Sequence, residues 1–249
     1  MHTIAESSPI ASDFHTEQQW TSYSATDHAV WRVLFERRLP SLRTTASRVF
    51  LEGLDAIGLS SASVPDLSAI NAALQARTGW QAVPVTGFLP ARAFFESLAT
   101  RQFPTAITVR RPDEIDYTEA PDIFHDVFGH VPLHADPAFA TFLSRFGALA
   151  ARVTTDEQMT RLARLFWFTV EFGLVREDGQ TRIYGSGLIS SHADAAKAMS
   201  ADVDRRPFEL QAVLAQPFEI DHLQPVLFEV ESFAALAEAL ETLERVGLG

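Results

Sequence analysis

The sequence predicts a single, mainly α-helical domain with a few short β-strands. Apolar residues recur at helical spacing through most of the 249 residues. The strand-like runs are short and scattered, and no alternation of strand and helix predicts a doubly wound sheet. Residues 1–20 are polar and no linker divides the rest, so we expect a flexible N-terminal arm over 1–20 and one domain over 21–249.

Four helices are predicted in the first 100 residues. Thr26 is expected to cap the first helix, and Pro40 is expected to end it after Leu39 because proline removes a backbone donor. Similar patterns predict the other three helices over 41–57, 65–79 and 90–99. Helices further along are predicted over 121–129, 137–150, 156–175, 190–199, 207–215 and 231–246. Short strands are predicted over 80–89, 105–109, 181–187 and 226–230.

The composition excludes several classes of protein. With 32 acidic and 20 basic residues the net charge is −12, which argues against binding to nucleic acid or to anionic membranes. No apolar run reaches the ~18 residues of a membrane helix, and the N-terminus does not resemble a signal peptide. The chain has no cysteine, which excludes a disulfide scaffold and fits the cytoplasm.

The segment "PDIFHDVFGHVPLH" (121–134) places histidines inside an apolar run. His125 and His130 would lie about 140° apart on an unbroken helix, which is poor for joint metal ligation. Gly129 can relax the backbone and Pro132 discourages a regular helix, so His130 can turn toward His125. Two buried histidines that bond backbone carbonyls are the alternative.

Glu171 lies in the apolar run "LARLFWFTVEFGLV" (162–175). A buried carboxylate there costs several kcal/mol unless it is paired or binds a metal. Arg164 or Arg182 is one candidate partner, and a cation shared with His125 and His130 is the other. Two imidazoles and one carboxylate form the facial triad of non-haem iron oxygenases, although zinc accepts the same ligands.

The motifs "PDIFHDVFGHVPL", "FWFTVEFGLV" and "YGSGLISS" resemble the catalytic domain of the pterin-dependent aromatic amino acid hydroxylases. The resemblance is strongest to the short bacterial members that act on phenylalanine, and it spans nearly the whole chain. It implies Fe(II) held by His125, His130 and Glu171 as catalytic residues. It also implies hydroxylation of L-phenylalanine to L-tyrosine with O2 and a tetrahydropterin cosubstrate; tryptophan is the alternative substrate.

The resemblance implies a substrate pocket as well. Arg110 corresponds to the residue that binds the substrate carboxylate, and its guanidinium suits that task, whereas Arg111 is expected on the surface. Thr118, Gly187 and Ser190 are implied to line the same pocket. Trp167 precedes Glu171 by one helical turn, so we expect it to floor the pocket for the aromatic ring; an ordinary core tryptophan is the alternative. Ile220 falls in a second region that the family links to substrate choice.

The segment "TGFLPARAFF" (86–95) resembles the family's pterin-binding segment. Phe94 is implied to stack on the pterin ring, and otherwise it is a core residue of an amphipathic helix. Gly87, Phe88 and Leu89 are implied to offer backbone groups to the edge of the pterin.

The chain departs from the family pattern at a few positions. Phe166 replaces a common tyrosine, and Ala120 replaces a common glutamate. His134 lies outside the triad and is expected on the surface or beside the ligands. The regulatory domain and tetramerisation helix of the animal members have no counterpart in the sequence, so a monomer is expected. Two hypotheses of a different class are a non-catalytic binding protein of the same fold and a zinc hydrolase with Asp126 as its base.

Overall fold

A computed structural model describes residues 14–87, 89–220 and 223–248. The α-helices in these ranges are α1 (Ala25–Thr45), α2 (Arg48–Ala56), α3 (Leu67–Arg77), α4 (Ala91–Ala99), α5 (Pro137–Ala150), α6 (Asp156–Phe166), α7 (Ser186–Ser190), α8 (His192–Ala198), α9 (Leu210–Ala215) and α10 (Phe233–Val246). Two π-helices, π1 (Phe124–His130) and π2 (Trp167–Glu171), and 3-10 turns at Trp20–Ser22, Pro112–Glu114 and Val131–Ala135 complete the helical structure. Within the described ranges, no helix combines the length and apolar character needed to cross a membrane.

The strands form two small sheets. They are β1 (Gln81–Val85), β2 (Gln102–Ala106), β3 (Leu174–Glu177), β4 (Gln180–Ile183), β5 (Asp204–Pro207) and β6 (Val226–Val230). β1 pairs with β2 in parallel, with Val83 opposite Pro104. The second sheet has the order β4-β3-β6-β5, in which only the β3–β4 pair is antiparallel. The predicted class, mainly α with short strands and no doubly wound sheet, is confirmed.

The first helix differs from its predicted bounds. Ser24 caps α1 and forms a reciprocal capping box with Asp27, so the helix begins one residue before Thr26. The prediction that Pro40 ends the helix was wrong, because α1 continues through Pro40 to Thr45. Leu42, beyond the proline, is fully buried. Tertiary packing of that last turn outweighs the hydrogen bond that proline removes.

Part of the predicted N-terminal arm lies against the body. The side chain of Gln18 donates to the carbonyl of Pro65 and accepts from the backbone of Leu67. The indole of Trp20 donates to the carbonyl of Val64 at 2.7 Å. Residues 14–20 are therefore docked. Residues 1–13 lie outside the described residues, where a flexible arm stays a prediction, as does the single domain over 21–249.

Two predicted helices are shorter than the sequence suggested, and two strands were missed. The helix predicted over 156–175 ends with π2. The chain then enters β3, which is the first of the two missed strands. The helix predicted over 190–199 is α8, separated from α7 by Ser191. β5 escaped prediction because its sequence, "DRRP", is polar and largely exposed at a sheet edge.

An aromatic core holds π1 in the centre of the molecule. Phe124 and Phe128 of π1 are both fully buried and stack on each other at 4.6 Å. The rings of Trp31 and Phe35 on α1 pack edge-on against them at 5.4 and 5.2 Å. On the C-terminal side, α2 packs so closely against the 3-10 turn after π1 that a β-carbon at Gly53 would overlap a backbone carbonyl of that turn. π1 is thus fixed from both sides.

Candidate metal centre and substrate pocket

Each of the two π-helices carries part of the candidate metal centre. In a π-helix the hydrogen bond joins residues five apart, so such residues lie above one another on one face. This wider winding keeps His125 and His130 closer to one face than an α-helix, which would turn them about 140° apart. π2 shows the same bond, from the amide of Phe172 to the carbonyl of Trp167 at 2.9 Å. The predicted convergence of the histidines is present, but the whole π1 segment produces it rather than a local bend at Gly129.

The three predicted ligands meet in one cluster. His125, His130 and Glu171 each offer a ligand atom, and these atoms lie within 4.8 Å of one another. Nε2 of His130 lies 3.1 Å from Oε1 of Glu171, and Nε2 of His125 lies 3.7 Å from Oε2. The two imidazole planes are nearly perpendicular, with ring centres 5.1 Å apart. Three donor atoms therefore point into one small volume.

Neither of the two arginines considered as partners for Glu171 contacts it. Arg164 donates to the carbonyl of Leu214, and Arg182 donates to the carbonyl of Thr44. Among the described residues, only the two ligand histidines lie within ion-pair distance of Glu171. The buried carboxylate has no guanidinium or ammonium partner in this part of the chain.

The charges of the cluster suit a divalent metal. Burial lowers the pKa of His125 to about 4, so its imidazole is neutral near pH 7. Burial would raise the pKa of Glu171, but the facing His130 and His125 and the hydroxyl of Ser186 outweigh it and lower the pKa to about 2. Neutral imidazole and ionised carboxylate are the forms that bind metals. The residues thus fit a divalent cation that would compensate the buried negative charge.

Ser190 fixes the ring of His125. Its hydroxyl donates to the carbonyl of Ser186 at 2.8 Å and lies 3.0 Å from Nδ1 of His125. Because the hydroxyl proton is already donated, Nδ1 of His125 carries the hydrogen and the serine oxygen accepts it. Nε2 is then left with its lone pair facing Glu171, as a metal ligand requires.

A cavity of about 590 Å3 opens beside the triad. His125 and Glu171 form part of its wall. All five residues predicted to bind substrate also line it, namely Arg110, Thr118, Trp167, Gly187 and Ser190. The volume is within the usual range for a small-molecule site. The structure therefore brings the predicted ligands and the predicted substrate contacts to one place.

Three comparisons with known proteins agree on the family. A model of the "Biopterin-dependent aromatic amino acid hydroxylase" family matches residues 3–245. Phenylalanine-4-hydroxylase of Ralstonia nicotianae is 40% identical over 249 residues, which covers 95% of this chain and 80% of the relative. That of Caulobacter vibrioides is 40% identical over 91% of this chain and 77% of its own length.

A solved structure shows that the similarity extends to the fold. Phenylalanine hydroxylase of Chromobacterium violaceum, with bound iron(III) and 7,8-dihydrobiopterin, matches with a TM-score of 0.87 at 38% identity. The match covers 96% of this chain and 89% of that chain. The chain belongs to the biopterin-dependent aromatic amino acid hydroxylase family. The resemblance seen in the sequence is confirmed, and the iron bound in that neighbour favours iron over zinc for the cluster of two imidazoles and a carboxylate.

Arg110 is held by a carboxylate that sequence reasoning missed. Nε and Nη2 of Arg110 bind the two oxygens of Asp122 at 2.8 and 2.9 Å, and both side chains are less than a tenth exposed. Asp122 also accepts from the backbone N–H of His125 at 3.0 Å. One carboxylate therefore joins the proposed substrate anchor to a proposed metal ligand. The neighbouring Arg111 is exposed, as expected, and pairs with Asp113.

Two phenylalanines pack against the ring of Trp167. Phe218 stacks on it at 4.5 Å with planes 18° apart, and Phe172 lies 4.8 Å away on a tilted plane. These contacts fix the indole in the pocket wall. Ile220 also lines the pocket, but its side chain is 80% exposed. Trp167 therefore has the better-defined position of the two.

Among the described residues of the predicted pterin segment, Gly87, Leu89 and Phe94 are not part of the lining of this pocket. Gly87 is exposed and has a φ of +74°, a conformation that favours glycine. Leu89 packs against Val83 and Val85. Phe94 is half-buried and meets Phe166 edge-on at 5.5 Å. Phe88 lies outside the described residues, and pterin binding by these four residues stays a prediction.

Two residues that the sequence analysis singled out, His134 and Phe166, are buried. His134 is 1% exposed, and its ring lies 4.6 Å from the ring of Trp80. Of the two positions expected for it, the surface is therefore excluded and the buried position beside the ligands remains. Burial lowers its pKa to about 3. Phe166, where the family commonly has tyrosine, is buried and stacks at 6.5 Å on the ring of His130. It offers no hydroxyl toward the metal site.

Sequence reasoning also missed two residues that support the centre. The hydroxyl of Ser186 donates to Glu171. The buried Arg38 donates to the carbonyls of Leu188 and Ile189 at 3.0 and 2.8 Å, and so holds α7. "YGSGLISS" contains Ser186, but nothing in its pattern distinguishes a hydroxyl that contacts a ligand from one in an ordinary turn.

The Asp122–Arg110 pair predicts a defined loss of stability. We expect Asp122→Asn to lower the free energy of unfolding by about 3–5 kcal/mol at pH 7, because it leaves a buried guanidinium unpaired. Arg110 holds the pKa of Asp122 below its ordinary 3.8 despite the opposing effect of burial. The pair's contribution is therefore present above that value and is lost as the pH falls through the folded-state pKa.

Urea denaturation at pH 7, 5 and 3 measures this. The difference between wild type and Asp122→Asn should shrink below about pH 4. The control is Asp113→Asn, which removes an exposed carboxylate and should cost less than about 1 kcal/mol at every pH. Equal losses in the two variants would show that the buried pair has no special role.

Proposed function

We propose that this chain is a phenylalanine 4-monooxygenase, which hydroxylates L-phenylalanine to L-tyrosine with O2, Fe(II) and a tetrahydropterin. The observation that carries the proposal is the cluster of His125, His130 and Glu171 in the wall of a cavity that Arg110 and Trp167 also line. The phenylalanine-4-hydroxylases to which the chain is similar support the choice of substrate. Iron and the pterin, when bound, supply the activation of O2 and the electrons for the reaction.

The chain's own residues would hold the metal and would shield it from water on the side away from the cavity. His130 is 3% exposed, whereas His125 and Glu171 keep 20% and 15% of their side chains accessible, from the cavity side. A facial triad leaves positions open for O2 and substrate on that side. Behind the ligands, Phe103 lies against the ring of His130 at 4.7 Å. Such a dry wall limits side reactions of a reactive oxidant.

Arg110 anchors the substrate carboxylate. Asp122 occupies the edge formed by Nε and Nη2, and Nη1 contacts the carbonyl of Ile115 only at 3.5 Å. The end of the guanidinium thus keeps donors for a second carboxylate. Because Asp122 holds the group rigidly, little conformational entropy is lost when substrate binds. Thr118, Gly187 and Ser190 complete the same wall of the cavity.

Trp167 forms the surface on which the aromatic ring of the substrate lies. Phe172 and Phe218 pack against it and fix its ring in the wall of the cavity. Its bulk is expected to limit the depth of the pocket and to favour phenylalanine over the larger indole. Tryptophan is the second candidate substrate, because Ile220 resembles the residue that the family carries where tryptophan is the substrate, whereas members that act on phenylalanine often carry valine. The segment containing Gly87, Phe88, Leu89 and Phe94 is proposed to bind the pterin, since it matches the family's pterin segment.

A zinc hydrolase and a non-catalytic protein of this fold have less support. A zinc hydrolase would use Asp126 as its base, but that carboxylate accepts from the backbone N–H of Ala106 at 2.6 Å and is not among the residues that line the cavity. A non-catalytic protein would have no need of a complete triad, and all three ligands are present. A cytoplasmic location and a monomeric state remain predictions from the sequence, as does the absence of nucleic-acid and membrane partners.

The first test concerns iron. His125→Ala, His130→Ala and Glu171→Ala should each abolish tyrosine formation and weaken Fe(II) binding, since a facial triad loses one of its three bonds. Anaerobic equilibrium dialysis measures the affinity, with His15→Ala as a histidine control away from the centre. Full Fe(II) affinity in the three ligand variants would refute the assignment.

The second test concerns the carboxylate anchor. Arg110→Lys keeps the charge but loses the planar group that serves both Asp122 and the substrate. We expect it to raise KM for phenylalanine by tenfold or more, about 1.4 kcal/mol or above. Arg111→Lys is the matched control next door and should change KM little. Equal KM values in steady-state assays of the two variants would show that Arg110 is not the anchor.

The third test concerns substrate choice. We expect the wild type to prefer phenylalanine to tryptophan by roughly tenfold to a few hundredfold in kcat/KM, because apolar pockets discriminate by shape alone. Trp167→Phe should narrow that gap by enlarging the pocket. Ile220→Val, which removes one methylene from an exposed side chain, should change it less. The two products are quantified after competition at equal concentrations. A wild type that forms mainly hydroxytryptophan would make tryptophan the substrate.

A further inference from the structure

The short helix α7 bridges the two π-helices through a pair of serines. Ser186 and Ser190 are four residues apart, so their side chains lie on one face of the turn. Oγ of Ser186 lies 2.7 Å from Oε2 of Glu171, and Oγ of Ser190 lies 3.0 Å from Nδ1 of His125. A single helical turn thus contacts one proposed ligand from π2 and one from π1.

The bond from Ser186 leaves the two oxygens of Glu171 in different environments. An ionised carboxylate only accepts hydrogen bonds, so the serine hydroxyl donates to Oε2. Such a charge-assisted bond is stronger than one between neutral groups. Oε1 instead faces Nε2 of His130 at 3.1 Å. Oε1 is therefore the oxygen left free of a protein hydroxyl.

We propose that Ser186 is a positioning residue for the metal centre, which holds Oε2 of Glu171 so that Oε1 is presented to the metal. This inference rests on the proposed function, in which Glu171 is an iron ligand. Nothing in the proposed reaction requires the hydroxyl to touch substrate or pterin. Its effect is on the orientation of one carboxylate.

The hydroxyl is held in place by the packing of α7. Ser186 is fully buried. A β-carbon at Gly129 of π1 would lie only 3.1 Å from the carbonyl oxygen of Ser186, so the two backbones are in close contact. At the other end of the turn, Arg38 donates to the carbonyls of Leu188 and Ile189. A donor fixed from both ends can select one orientation of the carboxylate, whereas a mobile one would follow it.

The test compares two buried serine-to-alanine variants. Ser186→Ala should weaken Fe(II) binding by about 10- to 100-fold in anaerobic equilibrium dialysis, the usual effect of losing a group that orients a metal ligand. The matched control is Ser47→Ala. Ser47 is equally buried, but its hydroxyl accepts from the amide of Phe50 and caps α2. Ser47→Ala should lower the melting temperature and keep wild-type Fe(II) affinity.

A spectroscopic measurement separates positioning from general stability. With Co(II) in place of iron at saturating concentration, Ser186→Ala should show an altered visible absorption spectrum and Ser47→Ala the wild-type one. Wild-type affinity or a wild-type Co(II) spectrum in Ser186→Ala would overturn the proposal, as would an equal loss of affinity in both variants.

Two further results decide the remaining cases. If Ser186→Ala does not fold by circular dichroism, X-ray absorption of the wild type loaded with Fe(II) replaces it. Coordination by one oxygen of Glu171 would then support the proposal, and coordination by both oxygens would overturn it. A wild type that binds no Fe(II) would overturn the proposed function itself, whereas wild-type binding with an unchanged Ser186→Ala affinity overturns only the role of Ser186.

Discussion

A buried, ionised carboxylate is the constraint on which the rest of this structure depends. Glu171 lies in an apolar helix, and among the described residues its only ion-pair partners are two imidazoles. Burial keeps His125 neutral near pH 7, so it does not balance the charge. A divalent cation would balance it and would bind all three groups at once.

The surroundings act through two unusual helices and one short turn. The π winding of Phe124–His130 and Trp167–Glu171 turns the ligands toward each other, and the aromatic core around Phe128 fixes that winding. Helix α7 then joins the two segments through hydroxyl contacts. Asp122 extends the same network to Arg110, so the group proposed to bind substrate is positioned by the backbone that carries a ligand. The proposed metal site and the proposed substrate site therefore share one framework of contacts.

Much of the fold and of the candidate metal centre was predictable from the sequence, and the features that could not be predicted have physical causes. The apolar run "FWFTVEFGLV" contains one carboxylate, and burying it is costly without a positively charged partner. The sequence therefore predicts that Glu171 pairs with an arginine or binds a metal. The spacing of His125 and His130 argues against joint ligation if the segment is an α-helix. Their approach on a π-helix could not be predicted, because no pattern in the sequence reveals that winding. Ser186 could not be predicted, because its role exists only once α7 packs against π1. The prediction that Pro40 ends α1 was wrong for a related reason, since tertiary packing outweighed a local helix-breaking signal.

The most direct test of this account is the position of iron in the protein. Crystals of the wild type, loaded anaerobically with Fe(II), would be measured at the iron absorption edge to give an anomalous difference map. The account predicts one strong peak per chain, within bonding distance of Nε2 of His125, Nε2 of His130 and Oε1 of Glu171. A peak at another site, or no peak among these three side chains, would contradict it.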